Sequence, residues 1–164
     1  MDKIYFSKEK YGYRANNGVP YVYTLKTAHK EESNEIEEYR CEATDKKGNP
    51  VDVFMKGKPE YIYLWNNCYT SPTALIKGAT YSEVMSAISN GDAIDNLQLE
   101  SILYSKLPNA QISFFKYYSD KKKTYETTFR QTSVSYGYNL QGLLKTVLNN
   151  GKIIKEYEYG YKIY

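Results

Sequence analysis

One histidine, two cysteines and a run of acids are the residues of this chain whose types could do chemistry. His29 is the only histidine among 164 residues. Imidazole is the usual general base and a frequent metal ligand, but His29 heads the charged run HKEESNEIEE. That run is expected to be an exposed loop or the ragged start of the next strand, where a lone imidazole is solvated. Cys41 and Cys68 could supply a thiol nucleophile, yet no base stands at a spacing that pairs with either. Their separation fits neither zinc ligation nor a disulfide framework, so two free thiols are expected. Glu31, Glu32, Glu35, Glu37 and Glu38 form a charge run, which reads as a solvated face and not as the pair of acids flanking a glycosidic bond. Gly57-Lys58 and Gly151-Lys152 lack the spacing of a phosphate-binding loop. The residues therefore lead to no catalytic group, no cofactor and no metal, and the chain is expected not to be an enzyme.

The elements around these residues are strands. Twenty tyrosines in 164 residues is several times ordinary usage, and tyrosine is a strand-lover. A chain of this length fits one domain, with a core large enough to fold without a staple. The expected class is α+β and β-dominated: an antiparallel, twisted sheet of tyrosine-rich hairpins with two short helices packed on it. Net charge is +3 and the pI is near 8.6, which is milder than the footprint of a nucleic-acid binder. The opening MDKIYFSKEKYGYRANNG lacks the apolar run of a signal peptide, and no later segment has the length of a membrane helix. No nucleic-acid partner and no membrane insertion are expected.

Three regions divide the single domain 1–164. Residues 1–65 read as β-hairpins, with Asn17-Gly18 as a tight turn and Tyr21, Tyr23 and Leu25 sharing one strand face. In YIYLW, Tyr61, Tyr63 and Trp65 alternate with Ile62 and Leu64, so the strand is apolar on both faces and belongs near the centre of the sheet. Residues 66–109 read as a loop and two short helices. Thr80 and Glu83 have the spacing of a capping box, Tyr81, Val84, Met85 and Ile88 form one stripe, and a second helix is expected through Ile94, Leu97 and Ile102 to Leu107-Pro108. Residues 110–164 return to hairpins: Tyr125, Thr127 and Phe129 share a face, Lys121, Lys122 and Lys123 belong to a solvated turn, and Tyr157, Tyr159, Tyr161 and Ile163 alternate as a closing strand.

A repeat runs through this pattern. Asp45 stands three residues before Gly48, and Asn139 three before Gly142. Each glycine is followed nine residues later by another, Gly57 and Gly151, and each copy then enters a Tyr-x-Tyr segment, Tyr61 with Tyr63 and Tyr157 with Tyr159. An Asx side chain can hydrogen-bond the backbone two residues on, and glycine supplies a positive φ at a tight corner. Tyrosines opposite each other on neighbouring strands contribute roughly 0.2–1 kcal/mol per pair.

Tyr136-Gly-Tyr138-Asn139-Leu-Gln-Gly142-Leu143-Leu144 resembles the YD repeat of the rearrangement-hotspot (RHS) family, Tyr-x-Tyr-Asp-x-x-Gly-Arg-Leu, with Asn139 in place of the aspartate and Leu143 in place of the arginine. Residues 61–84, YIYLWNNCYTSPTALIKGATYSEV, resemble a segment of the C-terminal part of Bacteroidetes members, with Asn66 and Asn67 replacing a Gly-Tyr. The resemblance spans about residues 39 to 164. It implies a non-catalytic structural or interaction segment, a β-scaffold or C-terminal cap of a surface or secreted protein. Its implied partners are protein: upstream repeats or a second copy, met through sheet edges. Two other readings stand beside it. Tyr61, Tyr63 and Trp65 on one face could form a glycan platform of a carbohydrate-binding module, and the chain could be a remnant of a toxin or hydrolase.

Overall fold

The computed structural model describes residues 7–29, 34–88, 98–118, 122–127 and 132–160. Eleven strands form one antiparallel sheet in chain order: β1 (Ser7–Asn16), β2 (Val19–His29), β3 (Ile36–Thr44), β4 (Pro50–Met55), β5 (Tyr61–Trp65), β6 (Pro72–Lys77), β7 (Gln111–Tyr117), β8 (Lys123–Thr127), β9 (Ser133–Tyr138), β10 (Leu144–Asn149) and β11 (Lys152–Glu156). Two helices, α1 (Tyr81–Ala87) and α2 (Leu99–Lys106), lie in the connection from β6 to β7. The architecture is the β-dominated α+β sheet that the tyrosine alternation predicts, with the two short helices expected from the Thr80–Glu83 spacing and the apolar stripe.

Side chains of paired residues project from the same side of a sheet, so the register sorts the strands into two faces. Ile62, Ile76 and Ile112 are aligned across β5, β6 and β7, as are Leu64, Ala74 and Phe114. These residues form the core with Val84 and Ala87 of α1 and Leu99 and Leu103 of α2, and Tyr104 meets Phe114 edge to face at 5.7 Å. Complete burial of one such side chain contributes about 1.5–3 kcal/mol, and Ile62, Leu64, Ile76, Leu103 and Ile112 are all under 2% exposed. α1 opens as its sequence predicts: the Glu83 N–H donates to Thr80 Oγ1 at 3.3 Å while the Thr80 N–H donates to Glu83 Oε2 at 2.8 Å. The opposite face carries Tyr61, Tyr63 and Trp65 over Cys41 and Val53, which pair with each other and, through Val53, with Tyr61.

Several expectations are corrected. His29 is the last residue of β2 and not part of a loop. Pro72–Lys77, within the segment read as loop and helices, is a strand, because β5 needs an apolar partner for Ile62 and Leu64. Tyr81 is 39% exposed and stands off the buried stripe of α1. Lys123 is the first residue of β8, with its ammonium 3.2 Å from Glu126. The final strand ends at Glu156, so Tyr157 and Tyr159 follow it and do not lie within it. The physical reason is the turn before it: Asn150 and Gly151 have φ of 46° and 77°, a two-residue turn that starts the strand at once. After Gly57, by contrast, three further residues precede Tyr61. Ile94, Leu97, Lys121, Phe129, Tyr161 and Ile163 lie outside the described residues.

Candidate interaction surface

The two Asx-x-x-Gly segments have the same hydrogen bonds. Asp45 Oδ1 accepts from the N–H groups of Lys47 and Asn49 at 2.8 and 3.0 Å, and Asn139 Oδ1 accepts from those of Gln141 and Leu143 at 3.1 and 2.9 Å. Gly48 N–H donates to the Asp45 carbonyl at 3.1 Å and Gly142 N–H to the Asn139 carbonyl at 2.8 Å. The Asx N–H groups close each loop on the carbonyls of Asn49 and Leu143. Gly48 and Gly142 have φ of 82° and 75°, in the left-handed region that favours glycine.

A related turn, one residue longer and not legible as a repeat in the sequence, joins β5 to β6, with the Asn66 N–H closing on the Ser71 carbonyl at 3.0 Å. Asn66 Oδ1 accepts from the Thr70 N–H at 2.9 Å, and the Asn66 carbonyl accepts from the Tyr69 N–H at 2.8 Å. Tyr69, three residues after the Asx as the glycines are, has φ of 57°. Its ring takes the Lys46 ammonium at 4.7 Å. The turn from β7 to β8 closes in like manner, with the Tyr118 N–H donating to the Lys122 carbonyl at 2.8 Å.

The likeness extends into the strands. Five hairpins share one irregularity: the pairs Tyr13↔Val22 and Gly12↔Thr24, Thr44↔Pro50 and Ala43↔Asp52, Trp65↔Pro72 and Leu64↔Ala74, Tyr117↔Lys123 and Lys116↔Tyr125, and Tyr138↔Leu144 and Gly137↔Thr146. In each, one residue of the second strand is skipped: Tyr23, four pairs from its turn, and Val51, Thr73, Thr124 and Lys145, one pair from theirs. A bulge at a fixed place bends and twists each hairpin alike. Three of the four junctions between these hairpins also keep register, with Asp52↔Ile62, Ala74↔Phe114 and Tyr125↔Ser135 in the same relative position, while the first, between β2 and β3, is offset by one residue and sets Thr24 against Arg40. Two Tyr-Gly-Tyr segments signal the frame. A Cβ on Gly12 would lie 2.5 Å from Thr24 Oγ1, and one on Gly137 would meet Thr146 Oγ1.

In an antiparallel meander these five turns all lie at one end of the sheet, and side chains tie neighbours together. Asn16 Nδ2 donates to the Thr44 carbonyl at 3.2 Å and to Thr44 Oγ1 at 3.0 Å. Asn49 Nδ2 donates to the Tyr69 carbonyl at 2.8 Å. The aromatic face runs beneath. Burial pushes the phenols of Tyr39, Tyr63, Tyr117 and Tyr136 up from their ordinary range. Tyr136 donates to Glu126 Oε2 at 3.2 Å and Tyr138 to the Lys123 carbonyl at 2.8 Å. Of the residues read as a glycan platform, Tyr61, Tyr63 and Trp65 share this face but are half-buried, and the Trp65 indole N–H is committed to the Pro50 carbonyl at 2.8 Å. Tyr159 donates to the Leu144 carbonyl at 2.7 Å, and the Tyr157 N–H to the Lys145 carbonyl at 2.8 Å, so both lean back on β10.

The reactive residue types stay apart. Cys41 is buried in β3, where its S–H donates to the Ala43 carbonyl at 3.2 Å and burial pushes the thiol up. Cys68 is exposed in the turn after β5, and His29 ends β2. Among the acids, Glu35 pairs with Lys10 at 3.1 Å, Glu37 with Arg40 at 2.6 Å and Glu38 with Lys56 at 3.2 Å. Glu31 and Glu32 lie outside the described residues. Among the described residues no group of three or more His, Cys, Asp or Glu side chains could hold a metal ion. Among the described residues Asp52 is the one buried acid. It is 8% exposed, and burial together with the nearby Glu60 raises its carboxyl to about 6.

No protein-family model matches the chain, and no curated protein matches it. Solved structures similar to it include a TcdB2-TccC3-Cdc42 complex, at 8% identity over 88% of this chain and TM-score 0.49. A TcdB2-TccC3 structure is 9% identical over 87% at TM-score 0.49, and a Photorhabdus luminescens Tc holotoxin pore is 10% identical over 87% at TM-score 0.49. The chain spans about 7% of the length of each of those chains.

Proposed function

We propose that the chain is a non-catalytic scaffold segment of the RHS/YD-repeat kind, from a surface or secreted protein, and that it works by joining sheet to sheet through its edges. One observation carries this reading: five hairpins repeat the same bulge, and three of the four junctions between them repeat the same register, with no metal-binding cluster among the described residues. A frame in which every hairpin hands an open edge to the next is additive, as in other repeat architectures where each unit meets only its neighbours. The sheet has two edges, β1 and β11, paired on one side only among the described residues, and unpaired strand edges are templates for another strand. The C-terminal position suggested by residues 61–84 and the extracellular setting belong to the same proposal. They rest on the motifs alone. The glycan reading has no support from Trp65, whose indole N–H is occupied, nor from Tyr63, whose phenol is shielded.

The test is the state of the native material. Fractionation of source cells, probed with an antibody to residues 132–160, is expected to find the chain in an envelope or secreted fraction, in a covalent or tight assembly larger than the chain itself. A free cytosolic monomer would overturn the proposal.

A further inference from the structure

β1 and β9 occupy the same place in their hairpins. Tyr11, Gly12 and Tyr13 face Leu25, Thr24 and Val22 as Tyr136, Gly137 and Tyr138 face Val147, Thr146 and Leu144, with the skipped residue at the same point. They differ on the outer side. β9 is covered by β8, whose Glu126 carboxylate and Lys123 carbonyl take the two phenols of Tyr136 and Tyr138. β1 has no such neighbour among the described residues. Tyr11 is 47% and Tyr13 68% exposed, and the Tyr11 hydroxyl turns to Glu9 Oε2 of its own strand at 2.8 Å.

The junction register fixes what an incoming strand would meet. Where β8 sets Tyr125, Glu126 and Thr127 against Ser135, Val134 and Ser133, the same positions of β1 are Lys10, Glu9 and Lys8. Opposite charges directly across two strands are favourable and like charges unfavourable. A second copy paired antiparallel about a two-fold axis anywhere from Lys8 to Gly12 fails this condition. Centred on Lys8, Glu9 or Lys10 it sets that residue against itself, centred on Tyr11 it sets Lys8 against Arg14, and centred on Gly12 it sets Lys10 against Arg14. Centred on Tyr13 it leaves Lys8, Glu9 and Lys10 opposite Gly18, Asn17 and Asn16, so no register from Lys8 to Tyr13 matches the charges of this edge with its own copy.

We propose that the outer edge of β1 docks an antiparallel strand of a partner polypeptide that carries acids opposite Lys8 and Lys10 and a base opposite Glu9, covering Tyr11 and Tyr13 as β8 covers Tyr136 and Tyr138. The inference rests on the scaffold reading and names the partner's chemistry. The acids would compete with the existing Lys10–Glu35 pair, which is exposed at its lysine end and so contributes little.

Two labelled peptides copying residues 122–127 test it against the full chain. One carries Y125E, E126K and T127E, the other Y125K and T127K with Glu126 kept. Fluorescence anisotropy is expected to show the acid-base-acid peptide binding about tenfold more tightly, in line with a few cross-strand charge pairs. Amide exchange should slow at alternate residues of β1. The K8E/E9K/K10E variant, which changes only exposed side chains, should reverse the preference. Equal affinities, or protection confined to β11, would overturn the docking proposal while leaving the scaffold reading to its own test. So would a dimer of the chain alone, seen by sedimentation and abolished by K8E/E9K/K10E.

Discussion

The β5–β6 hairpin lies under two helices and the β9–β10 hairpin under neither, although both turn on an asparagine and skip one residue at the same point. Ile62, Leu64, Ala74 and Ile76 are at most 1% exposed. In β9 and β10 only Val147 is buried, and the cohesion comes from phenols: Tyr136 on Glu126, Tyr138 on the Lys123 carbonyl, and Tyr118 edge-on to Tyr138 at 6.3 Å. The frame is thus separable from the core. Backbone turns and bulges set the geometry at both places, while burial supplies most of the stability at one and side-chain hydrogen bonds with cross-strand rings supply it at the other.

The largest effect should come from the covered region. Leu103→Ala removes a fully buried side chain from between α2 and the sheet and is expected to cost about 2–5 kcal/mol in chemical denaturation, whereas Ile154→Ala in β11, where the side chain is 54% exposed, should stay within about 0.5 kcal/mol. Comparable losses at the two sites would erase the distinction between the regions.

Next comes the position that β10 gives to Thr146, β6 to Ala74 and β4 to Asp52. Asp52 Oδ1 is buried without a hydrogen-bond partner among the described residues, which costs about 1–3 kcal/mol for a group of this kind. Asp52→Asn removes the charge that burial and the nearby Glu60 disfavour, and should stabilise the protein at neutral pH by about 1–3 kcal/mol. The native carboxyl titrates at about 6 against an ordinary 3.8, so between those values the folded state holds a proton that the unfolded state has lost. Stability relative to the asparagine variant should fall as pH rises from about 4 to 6 and then level off. A difference that is flat with pH would show that Asp52 is ionised throughout.

Smaller effects separate the turns. Gly48→Ala and Gly142→Ala both place a Cβ on a left-handed residue, at a cost of about 1–2 kcal/mol. Gly48→Ala should be the worse, since its Cβ would meet Val19 Cγ1 at 2.7 Å, while at Gly142 the obstruction is the end of the flexible Lys122. Tyr69→Gly relieves the same strain but loses the ring beneath Lys46, and should leave the melting temperature almost unchanged. A large loss there would mean that the ring, and not the turn, holds β5 to β6.

The sequence carries parts of this frame openly. Asp45 with Gly48 and Asn139 with Gly142 mark two turns, Asn17-Gly18 a third, and Thr80 with Glu83 the start of α1. In each the residue type supplies the geometry: an oxygen for orphan N–H groups, or a backbone free to take a positive φ. The turn at Asn66 stays hidden because Tyr69 takes the left-handed position that signals glycine elsewhere. The bulges stay hidden because Tyr23, Val51, Thr73, Thr124 and Lys145 have nothing in common as side chains; a skipped pairing is a property of two strands together. The closing tyrosines mislead for a related reason. Alternation fixes which way side chains would point in a strand, but not that a partner is there to make one, and β11 ends at Glu156.

Cross-strand NOE mapping of the isotopically labelled chain tests the repeated frame most directly. The predicted pairs are 12–24, 43–52, 64–74, 116–125 and 137–146, each with one residue of the second strand skipped on the turn side of the pair. A regular register through any one of the five would contradict it.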